Sequence, residues 1–397
     1  MKAILISFID SSNIGDQLIV ETLSNLLEKN YEIKKYSYGL LTKENINIKR
    51  NIPKLDSKAK KIYKNNFRKL FLFDYSHSLY NKYKIKNNKN WDKFILDLQN
   101  ADVLVFGGGN AIFDLTKLSV SSYKFKLIIE KAKESDVRIF ASSIGIGPFI
   151  TDKQRKQAID ILENCDYVTL RDEKSLSYFK GSEDKEKIFT SVDPVFLLNK
   201  YEKYRPKEIK KEIHIGICLI DYRLNKVNEK SYTDYIVSVV SLIKKILKNE
   251  DYKVTLFSSE IRDYQAVKDV AKYFNSKRVS IEVIKDKIEL LELYSNVDLV
   301  IGTRMHSMIV ALSQNIPVIG LAWQPKVTEM FRILEQMDSV FDINNIAESE
   351  DQILSLVDQK MYNLKQEKEK LEEFKDNMEK NFSINEEILL KLRKRNI

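Results

Sequence analysis

Short apolar runs alternate with amphipathic stretches through the first half of the chain. The apolar runs are AILISF, DVLVFGG, VRIFASSI and DYVTLRD, and stretches with apolar residues at helical spacing begin near residues 16, 121, 152 and 173. Strands and helices taking turns are typical of a mostly parallel sheet covered by helices on both faces. The pattern therefore predicts an N-terminal Rossmann-like domain over residues 1–199.

The alternation starts afresh after a polar, highly charged segment. Residues 199–214 carry Pro206 and are the best linker candidate. Beyond them the pattern predicts strands at 252–258, 279–284, 299–303 and 317–322, and helices at 231–249, 262–275, 287–296 and 306–314. We predict a second Rossmann-like domain over 212–365 and a charged helix over 366–397, which either packs on the first domain or extends into solvent.

Length and composition agree with a two-domain α/β fold. A chain of 397 residues with 43% hydrophobic and 31% charged residues is typical of a globular protein of two domains. No apolar run reaches the roughly 18 residues of a membrane-spanning helix, and the N-terminal MKAILISFIDSS reads as a strand rather than a signal peptide. Cys165 and Cys218 suggest neither a disulfide framework nor a zinc site, which favours a reducing cytoplasm and no metal.

The chain is basic, with a formal net charge of +9. Much of the excess lies between Lys49 and Lys93, inside a region of weak strand and helix signals that we interpret as an insertion near residues 45–95. This charge permits an anionic partner, whether a substrate, a lipid surface or a nucleic acid. A solvated lysine-rich surface explains it equally well, so basic charge alone does not decide the function.

Glycine is scarce, with 11 residues in the chain, and two clusters follow apolar runs. At the carboxyl end of a parallel strand, glycine-rich turns let backbone N–H groups approach an anionic ligand. Tight turn geometry is the alternative explanation for such clusters. The candidate ligand-binding positions are Gly107, Gly108, Gly109, Asn110, Gly145 and Gly147.

The first apolar run ends in the loop DSSNIGDQLI, which precedes an amphipathic stretch. Asn13, Gly15 and Asp16 stand in this loop, at the carboxyl end of the first predicted strand. Asn13 or Asp16 fits the N-cap of the following helix. The same groups are placed to contact a ligand at the sheet edge, and the two roles can coexist.

Arg171 ends the apolar run DYVTL, so the pattern places it at the same predicted sheet edge. A guanidinium there could bind a phosphate or carboxylate through two parallel hydrogen bonds. The alternative is a structural ion pair with Asp172 or Asp193. The sequence leaves both roles open.

Residues 299–327 carry the densest chemical signal. A predicted buried strand ends in GTRMH, and the next strand ends in WQPK. Because adjacent parallel strands bring their carboxyl ends together, we expect Arg304, His306 and Lys326 to face one pocket. Of the three histidines, His306 alone stands at a switch from strand to helix, which favours a functional over a structural role.

Six collinear segments resemble the polysaccharide pyruvyltransferase family. They are NIGDQLI, DVLVFGGGN, ASSIGIGP, TLRDEKS, SVDPVF and the stretch from IGTRMHS to PKV. The resemblance implies two Rossmann-like domains facing a cleft, as in GT-B type glycosyltransferases. It also implies transfer of pyruvate from phosphoenolpyruvate to a saccharide of a cell-surface polysaccharide or its lipid-linked precursor, with formation of a ketal and release of phosphate.

The resemblance also implies residue roles. His306, Arg304, Arg171 and Lys326 are all expected to serve the donor. From the chemistry of ketal formation we hypothesise that His306 is the catalytic acid and that Arg304, Arg171 and Lys326 bind the donor. Arginine forks and a lysine suit the phosphate and carboxylate of phosphoenolpyruvate, and an imidazole suits the proton transfers of ketal formation. Asp16 is expected to orient the acceptor or act as a base. We expect no cofactor other than phosphoenolpyruvate as co-substrate, and no metal.

Two other function classes fit parts of the sequence. A glycosyltransferase of the same architecture that uses a nucleotide-activated sugar would account for the glycine clusters, although no acidic residue of the second domain stands out as a ribose ligand. A non-enzymatic polyanion-binding scaffold would account for the basic segment, but no nucleic-acid motif accompanies it. As partners we expect phosphoenolpyruvate and a saccharide, no nucleic acid, and at most peripheral contact with an anionic membrane from the cytoplasmic side.

Overall fold

The computed structural model describes residues 1–11, 13–38, 79, 83, 89–114, 121–179, 185–201, 212–225 and 229–394. The chain forms two compact units. The first comprises Met1–Ser11, Ile19–Pro194 and Lys380–Ile397, and the second comprises Ser12–Leu18 and Val195–Glu379. Each unit is built on a parallel sheet, which confirms the α/β class with two parallel-sheet domains.

The first unit contains a seven-stranded sheet in the order β2-β1-β3-β5-β6-β7, with β4 paired to β5. Its strands are β1 (Lys2–Ser7), β2 (Glu32–Ser37), β3 (Val103–Gly107), β4 (Asn110–Asp114), β5 (Arg138–Phe149), β6 (Tyr167–Leu170) and β7 (Ile188–Thr190). Its helices are α1 (Ile14–Glu28), whose first turn is counted with the second unit, α2 (Lys89–Leu98), α3 (Ser121–Glu134), α4 (Asp152–Glu163) and α5 (Glu173–Ser177).

Apolar side chains on both faces hold this sheet in the interior of the unit. Every residue of β3 is buried, and its Phe106 packs against Phe125 of α3 with ring centroids 5.3 Å apart. A strand that is buried on both faces reads as a continuous apolar run rather than an alternating one, which explains the sequence DVLVFGG. α4 begins at a capping box, in which the Thr151 side chain accepts the backbone N–H of Gln154.

The second unit contains a six-stranded parallel sheet in the order β10-β9-β8-β11-β12-β13. The strands are β8 (Ile213–Cys218), β9 (Tyr252–Ser258), β10 (Val279–Val283), β11 (Leu299–Gly302), β12 (Val318–Ala322) and β13 (Val340–Asp342). The helices are α6 (Leu198–Tyr201), α7 (Glu229–Ile246), α8 (Tyr264–Ala271), α9 (Lys287–Tyr294), α10 (Met305–Ser313), α11 (Pro325–Ile333) and α12 (Ile346–Tyr362). The strand order reverses between β8 and β11, so the carboxyl ends of these two strands mark a topological switch point.

The division between the units differs from the predicted boundary at residue 199. The N-terminal part of the first unit ends at Pro194, because the residues that follow, up to Glu379, pack within the second unit. Phe196 is buried and lies 5.4 Å from the ring of Phe374, and the Asn199 side chain accepts a hydrogen bond from Gln314. Most of the linker candidate, residues 202–211, lies outside the described residues.

The C-terminal helix α13 (Leu364–Lys394) is longer than predicted and contributes to both units. From Lys380 onward it belongs to the first unit, where Tyr31 donates a hydrogen bond to the Leu389 carbonyl at 3.2 Å. Of the two predicted alternatives, packing on the first domain is therefore correct for this part of the helix. In the described part of the chain, no helix has the length and apolarity needed to cross a bilayer.

The predicted insertion near residues 45–95 falls mainly outside the described residues. Only Leu79, Tyr83 and the first part of α2 represent it. The basic character of this region is therefore known from its sequence alone.

Candidate functional site

The loop after β11 is fixed at the switch point of the second sheet. The backbone N–H and the hydroxyl of Thr303 both donate to the carbonyl of Cys218, at 3.1 and 2.9 Å. Cys218 ends β8, so these bonds tie the ends of two neighbouring strands together. Arg304 follows in extended conformation, and α10 begins at Met305. This places Arg304 and His306 where ligands bind in open α/β sheets.

His306 lies in the first turn of α10 against the first turn of α1. Its Nδ1 is 3.9 Å from the Asp16 carboxylate, and its side chain is 12% exposed. The stretch from residue 12 to 18 belongs to the same unit as His306. The two sequence candidates Asp16 and His306 are thus brought together.

Gly15 contacts the same imidazole through its backbone. A Cβ on Gly15 would lie 2.1 Å from the Cβ of His306, so this position has no room for a side chain. The N–H of Gly15 donates to the Asn13 side chain at 2.9 Å, with Ile14 as the first residue of α1. Asn13 is therefore the N-cap of α1, which confirms the capping interpretation of this residue.

Arg304 is held by two acidic residues that follow β9. Its Nε donates to Asp263 at 2.7 Å, and its Nη2 lies 2.6 Å from Asp263 and 3.3 Å from Glu260. Burial raises the pKa of Asp263 to about 6, although the Arg304 charge opposes this shift. These contacts involve Nε and Nη2, on one side of the guanidinium. Nη1 takes part in none of the contacts with Asp263 and Glu260.

The sequence reading missed Glu260 and Asp263. It found no clear acidic ligand in the second domain, whereas both residues are buried at the carboxyl end of β9. The available signal was the acidic residues of SEIRD directly after a strongly apolar strand. Their pairing with Arg304 depends on the sheet order β9-β8-β11, which the local sequence does not reveal.

The loop after β12 lies beside the loop after β11. Trp323 donates its indole N–H to the Thr303 carbonyl at 2.9 Å, and its ring lies 5.6 Å from the Arg304 guanidinium carbon. Lys326 is exposed and occupies the first turn of α11, after a proline at the first helical position. Lys326 therefore follows β12, and β12 is the neighbour of β11, the strand that precedes Arg304 and His306.

In the first unit the glycine turn is closely packed. Gly108 and Gly109 have φ values of 71° and 65°, in the left-handed region that other residues rarely adopt. A Cβ would lie 1.9 Å from the Ile19 side chain at Gly108 and 2.4 Å from Phe8 at Gly109. Turn geometry and packing thus explain these glycines, and their contact with a ligand remains a prediction.

Arg171 forms the centre of a polar cluster at the same sheet edge. Its Nη1 donates to Asp193 at 2.5 Å and its Nη2 donates to the Asn110 side chain at 2.8 Å. Gly145 lies against both groups, since a Cβ there would be 2.2 Å from Asn110 and 2.9 Å from Arg171. The structure thus contains the ion pair with Asp193 that the sequence offered as an alternative, while donor binding by Arg171 stays a prediction.

Gly147 and the two cysteines are the remaining positions that the sequence singled out. Gly147 is packed against Tyr178, which lies 2.7 Å from the position of a Cβ. Within the described ranges, no group of three or more His, Cys, Asp or Glu side chains is arranged to hold a metal ion. Cys165 and Cys218 are free and buried, and burial raises the pKa of both thiols.

Two units, each built on a parallel sheet, form an architecture that is also found in GT-B glycosyltransferases and sugar epimerases. Among solved structures, the chain is similar to UDP-GlcNAc 2-epimerase from Methanocaldococcus jannaschii (TM-score 0.54, 12% identity, 90% of this chain and 92% of that one). It is also similar to UDP-GlcNAc 2-epimerase from Neisseria meningitidis (0.53, 14%, 98% and 100%) and to the spinosyn rhamnosyltransferase SpnG (0.53, 9%, 99% and 100%). At these identities the likeness shows the fold alone.

The profile of one protein family covers most of the chain. The family described as polysaccharide pyruvyl transferase matches residues 13–325, a range that contains Asn13, Asp16, Arg171, Arg304 and His306. The chain therefore belongs to the polysaccharide pyruvyl transferase family, as the sequence motifs indicated. Comparison with curated proteins gives no match.

Proposed function

We propose that this enzyme transfers the pyruvyl group of phosphoenolpyruvate to two hydroxyls of a saccharide, forming a ketal and releasing phosphate. Membership of the polysaccharide pyruvyl transferase family supports the transfer of a pyruvyl group to a polysaccharide. The observation that carries the choice of catalytic residue is the contact of His306 with Gly15 and Asp16 at the switch point of the second sheet. Phosphoenolpyruvate is the proposed donor because its phosphate and carboxylate match the cationic groups near this edge.

His306 is the proposed general acid. Its protonated imidazole delivers a proton to C3 of the enol, which leaves oxocarbenium character at C2. A saccharide hydroxyl then attacks C2 and loses its proton, and the bond from C2 to the phosphate oxygen breaks to release phosphate. A neighbouring hydroxyl attacks C2 in turn, loses its proton to the departing phosphate and closes the ring of the ketal, while the proton of the first hydroxyl restores His306. The Asp16 carboxylate, 3.9 Å from Nδ1, helps to orient the imidazole.

Arg304 and Lys326 are the proposed donor ligands of the second unit. Asp263 and Glu260 fix one side of the Arg304 guanidinium, which leaves Nη1 to bind a phosphate or carboxylate oxygen. Lys326 adds a compact positive charge at an exposed position. Arg171 would have to exchange Asp193 or Asn110 for a ligand, so in its observed state it orients Asn110 in the glycine turn. The proposed reaction uses no cofactor and no metal.

The first test is phosphate release from phosphoenolpyruvate by the purified protein with a panel of free and lipid-linked saccharides. Products are weighed by mass spectrometry. Release that depends on a saccharide, together with the mass gain of one pyruvyl ketal, supports the proposal. Failure to bind phosphoenolpyruvate in a calorimetric titration would contradict it.

A glycosyltransferase that uses a nucleotide-activated sugar is the alternative, since one architecture serves both chemistries. The same panel with nucleotide sugars in place of phosphoenolpyruvate distinguishes the two. A product heavier by one hexose or deoxyhexose would favour the alternative.

A further inference from the structure

Asn385 of α13 is a fully buried polar residue, and both polar atoms of its side chain form hydrogen bonds. Its oxygen accepts two hydroxyl hydrogens, and its amide nitrogen donates to two hydroxyls and one carbonyl. The partners are Ser142 at 2.9 Å, Thr169 at 2.6 Å, Ser191 at 2.7 Å, Ser143 at 3.3 Å and the Phe382 carbonyl at 3.0 Å. All of these residues belong to the first unit.

The hydroxyl partners come from three neighbouring strands and the residue after the last of them. Ser142 and Ser143 lie in β5, Thr169 lies in β6, and Ser191 directly follows β7. Side chains that bind one amide group link these three strands, and Ser143 and Ser191 also contact each other at 3.1 Å, so the buried hydroxyls form one connected network. Asn385 is thus a brace across the sheet.

Ser142 and Ser143 form an irregular point in β5. The register between β5 and β6 shifts between Ala141 and Ile144, and Ser143 has a φ of 47°, in the left-handed region. The backbone N–H of Ser143 leaves the ladder and donates to the Thr169 hydroxyl at 2.6 Å. Bulges of this kind redirect a strand and are frequent beside active sites.

The strand beyond this bulge carries the polar cluster of the first unit. The Ile144 carbonyl accepts the backbone N–H of Arg171 at 3.2 Å, and Gly145 donates to the Gly109 carbonyl at 2.8 Å. Gly145 also lies directly against Asn110 and Arg171. The course of β5 after Ser143 therefore sets the positions of Arg171 and the glycine turn.

We propose that Asn385 is a positioning residue for the carboxyl edge of the first sheet. By holding the bulge at Ser142 and Ser143, it keeps Gly145, Arg171 and Asn110 in the arrangement that binds substrate. Its effect on catalysis rests on the proposed function, whereas its effect on the strand ends does not. The brace depends on a residue about 240 positions away from the bulge in sequence.

The test is amide hydrogen exchange of the full-length protein, read by mass spectrometry on peptides that cover residues 142–147 and 168–173. Asn385→Ser is compared with Leu389→Ala, which removes a buried side chain from the next turn of the same helix without touching the hydroxyl network. We expect exchange at both peptides to become about tenfold faster in Asn385→Ser and to stay unchanged in Leu389→Ala. Equal exchange in the two variants would overturn the proposal.

A second pair of measurements separates this inference from the proposed function. If the enzyme transfers pyruvate, Asn385→Ser should raise the KM for a substrate about tenfold, and Leu389→Ala, compared per folded molecule, should not. If the wild-type protein shows no such transfer, the proposed function fails while the exchange result still decides the role of Asn385. If Asn385→Ser does not fold, Thr169→Val takes its place. This near-isosteric change removes the hydrogen bonds of the Thr169 hydroxyl to Asn385 and to the Ser143 N–H. Unchanged amide exchange in Thr169→Val would overturn the proposal.

Discussion

The backbone of Gly15 lies directly against the imidazole of His306, so that a Cβ at position 15 would be only 2.1 Å from the His306 Cβ and 2.5 Å from its Nδ1. Any side chain at position 15 must therefore displace the histidine or the start of α1. Asp16, the next residue, places its carboxylate 3.9 Å from the same ring. The first turn of α1 thus shapes the surroundings of the proposed acid.

Gly15→Ala should lower turnover about 100-fold while the protein stays folded, because His306 would be displaced by about an ångström from its reactive position. Turnover and circular dichroism of the purified variant check this. Gly216→Ala is the matched control, since its new Cβ would lie 3.3 Å from the nearest atom of Phe257, in the core of the same unit. That control should keep its turnover per folded molecule. Equal turnover in both variants would show that Gly15 does not position His306.

His306→Gln should lower kcat by about 100- to 10,000-fold, the range expected when a general acid is lost. The measurement is saccharide-dependent phosphate release. His214→Gln is the control, because His214 lies in β8 of the same unit and contacts the Thr255 hydroxyl at 2.6 Å. The control should turn over near the wild-type rate. Near-normal kcat in His306→Gln would remove the acid role.

Arg304→Lys should raise the KM for phosphoenolpyruvate about tenfold, since lysine keeps the charge but cannot bind Asp263 and an anion through one planar group. Initial-rate kinetics at saturating saccharide measure this change. Arg332→Lys is the control on the exposed part of α11, where Arg332 pairs with Glu329. An unchanged KM in Arg304→Lys would contradict donor binding by Arg304.

Asp263 should make stability depend on pH. Burial raises its pKa from 3.8 to about 6 despite the Arg304 charge, so protonation favours the folded state. The stabilisation is complete below the unfolded pKa and is lost as the pH rises through about 6. The Tm of the wild type relative to Asp263→Asn should therefore fall between about pH 4 and pH 6.5, by the equivalent of up to about 3 kcal/mol. Parallel Tm curves for the two proteins would refute the raised pKa.

Arg171→Leu should destabilise the first unit by about 3–5 kcal/mol, because it removes the guanidinium that pairs with the buried Asp193 carboxylate. The two side chains are 9% and 7% exposed. Arg138→Leu breaks the partly exposed pair with Asp166 at the start of β5 and should cost about 1 kcal/mol or less. Urea unfolding of both variants gives the comparison. Similar losses would mean that the Arg171 pair is effectively solvated.

Much of the second sheet can be predicted from the sequence. The pattern predicts a strand at 252–258, and β9 has these bounds, because YKVTLFS is a short run rich in β-branched and aromatic residues, almost all of them buried. β2 was missed because EIKKYS is mostly polar, as suits a strand at the edge of a sheet. β4 was missed because NAIFD follows the glycine turn without a break.

Only part of the candidate site can be predicted from the sequence. His306 stood out because histidine is rare in this chain and this one follows a buried strand. Asp263 and Asn385 did not, since each acquires its importance from strands that are distant in sequence and adjacent in the sheet. Local periodicity reports burial and element type, but it carries no information on which strand ends become neighbours.

The two buried cysteines make the chain suited to thiol labelling. Cys165 and Cys218 are the only cysteines, and burial together with a raised pKa keeps both thiols protonated and shielded from reagents. A cysteine introduced at the 91% exposed Tyr362 would therefore react alone with a maleimide under native conditions. Fluorescent or spin probes can be attached to the folded enzyme without first removing its natural thiols.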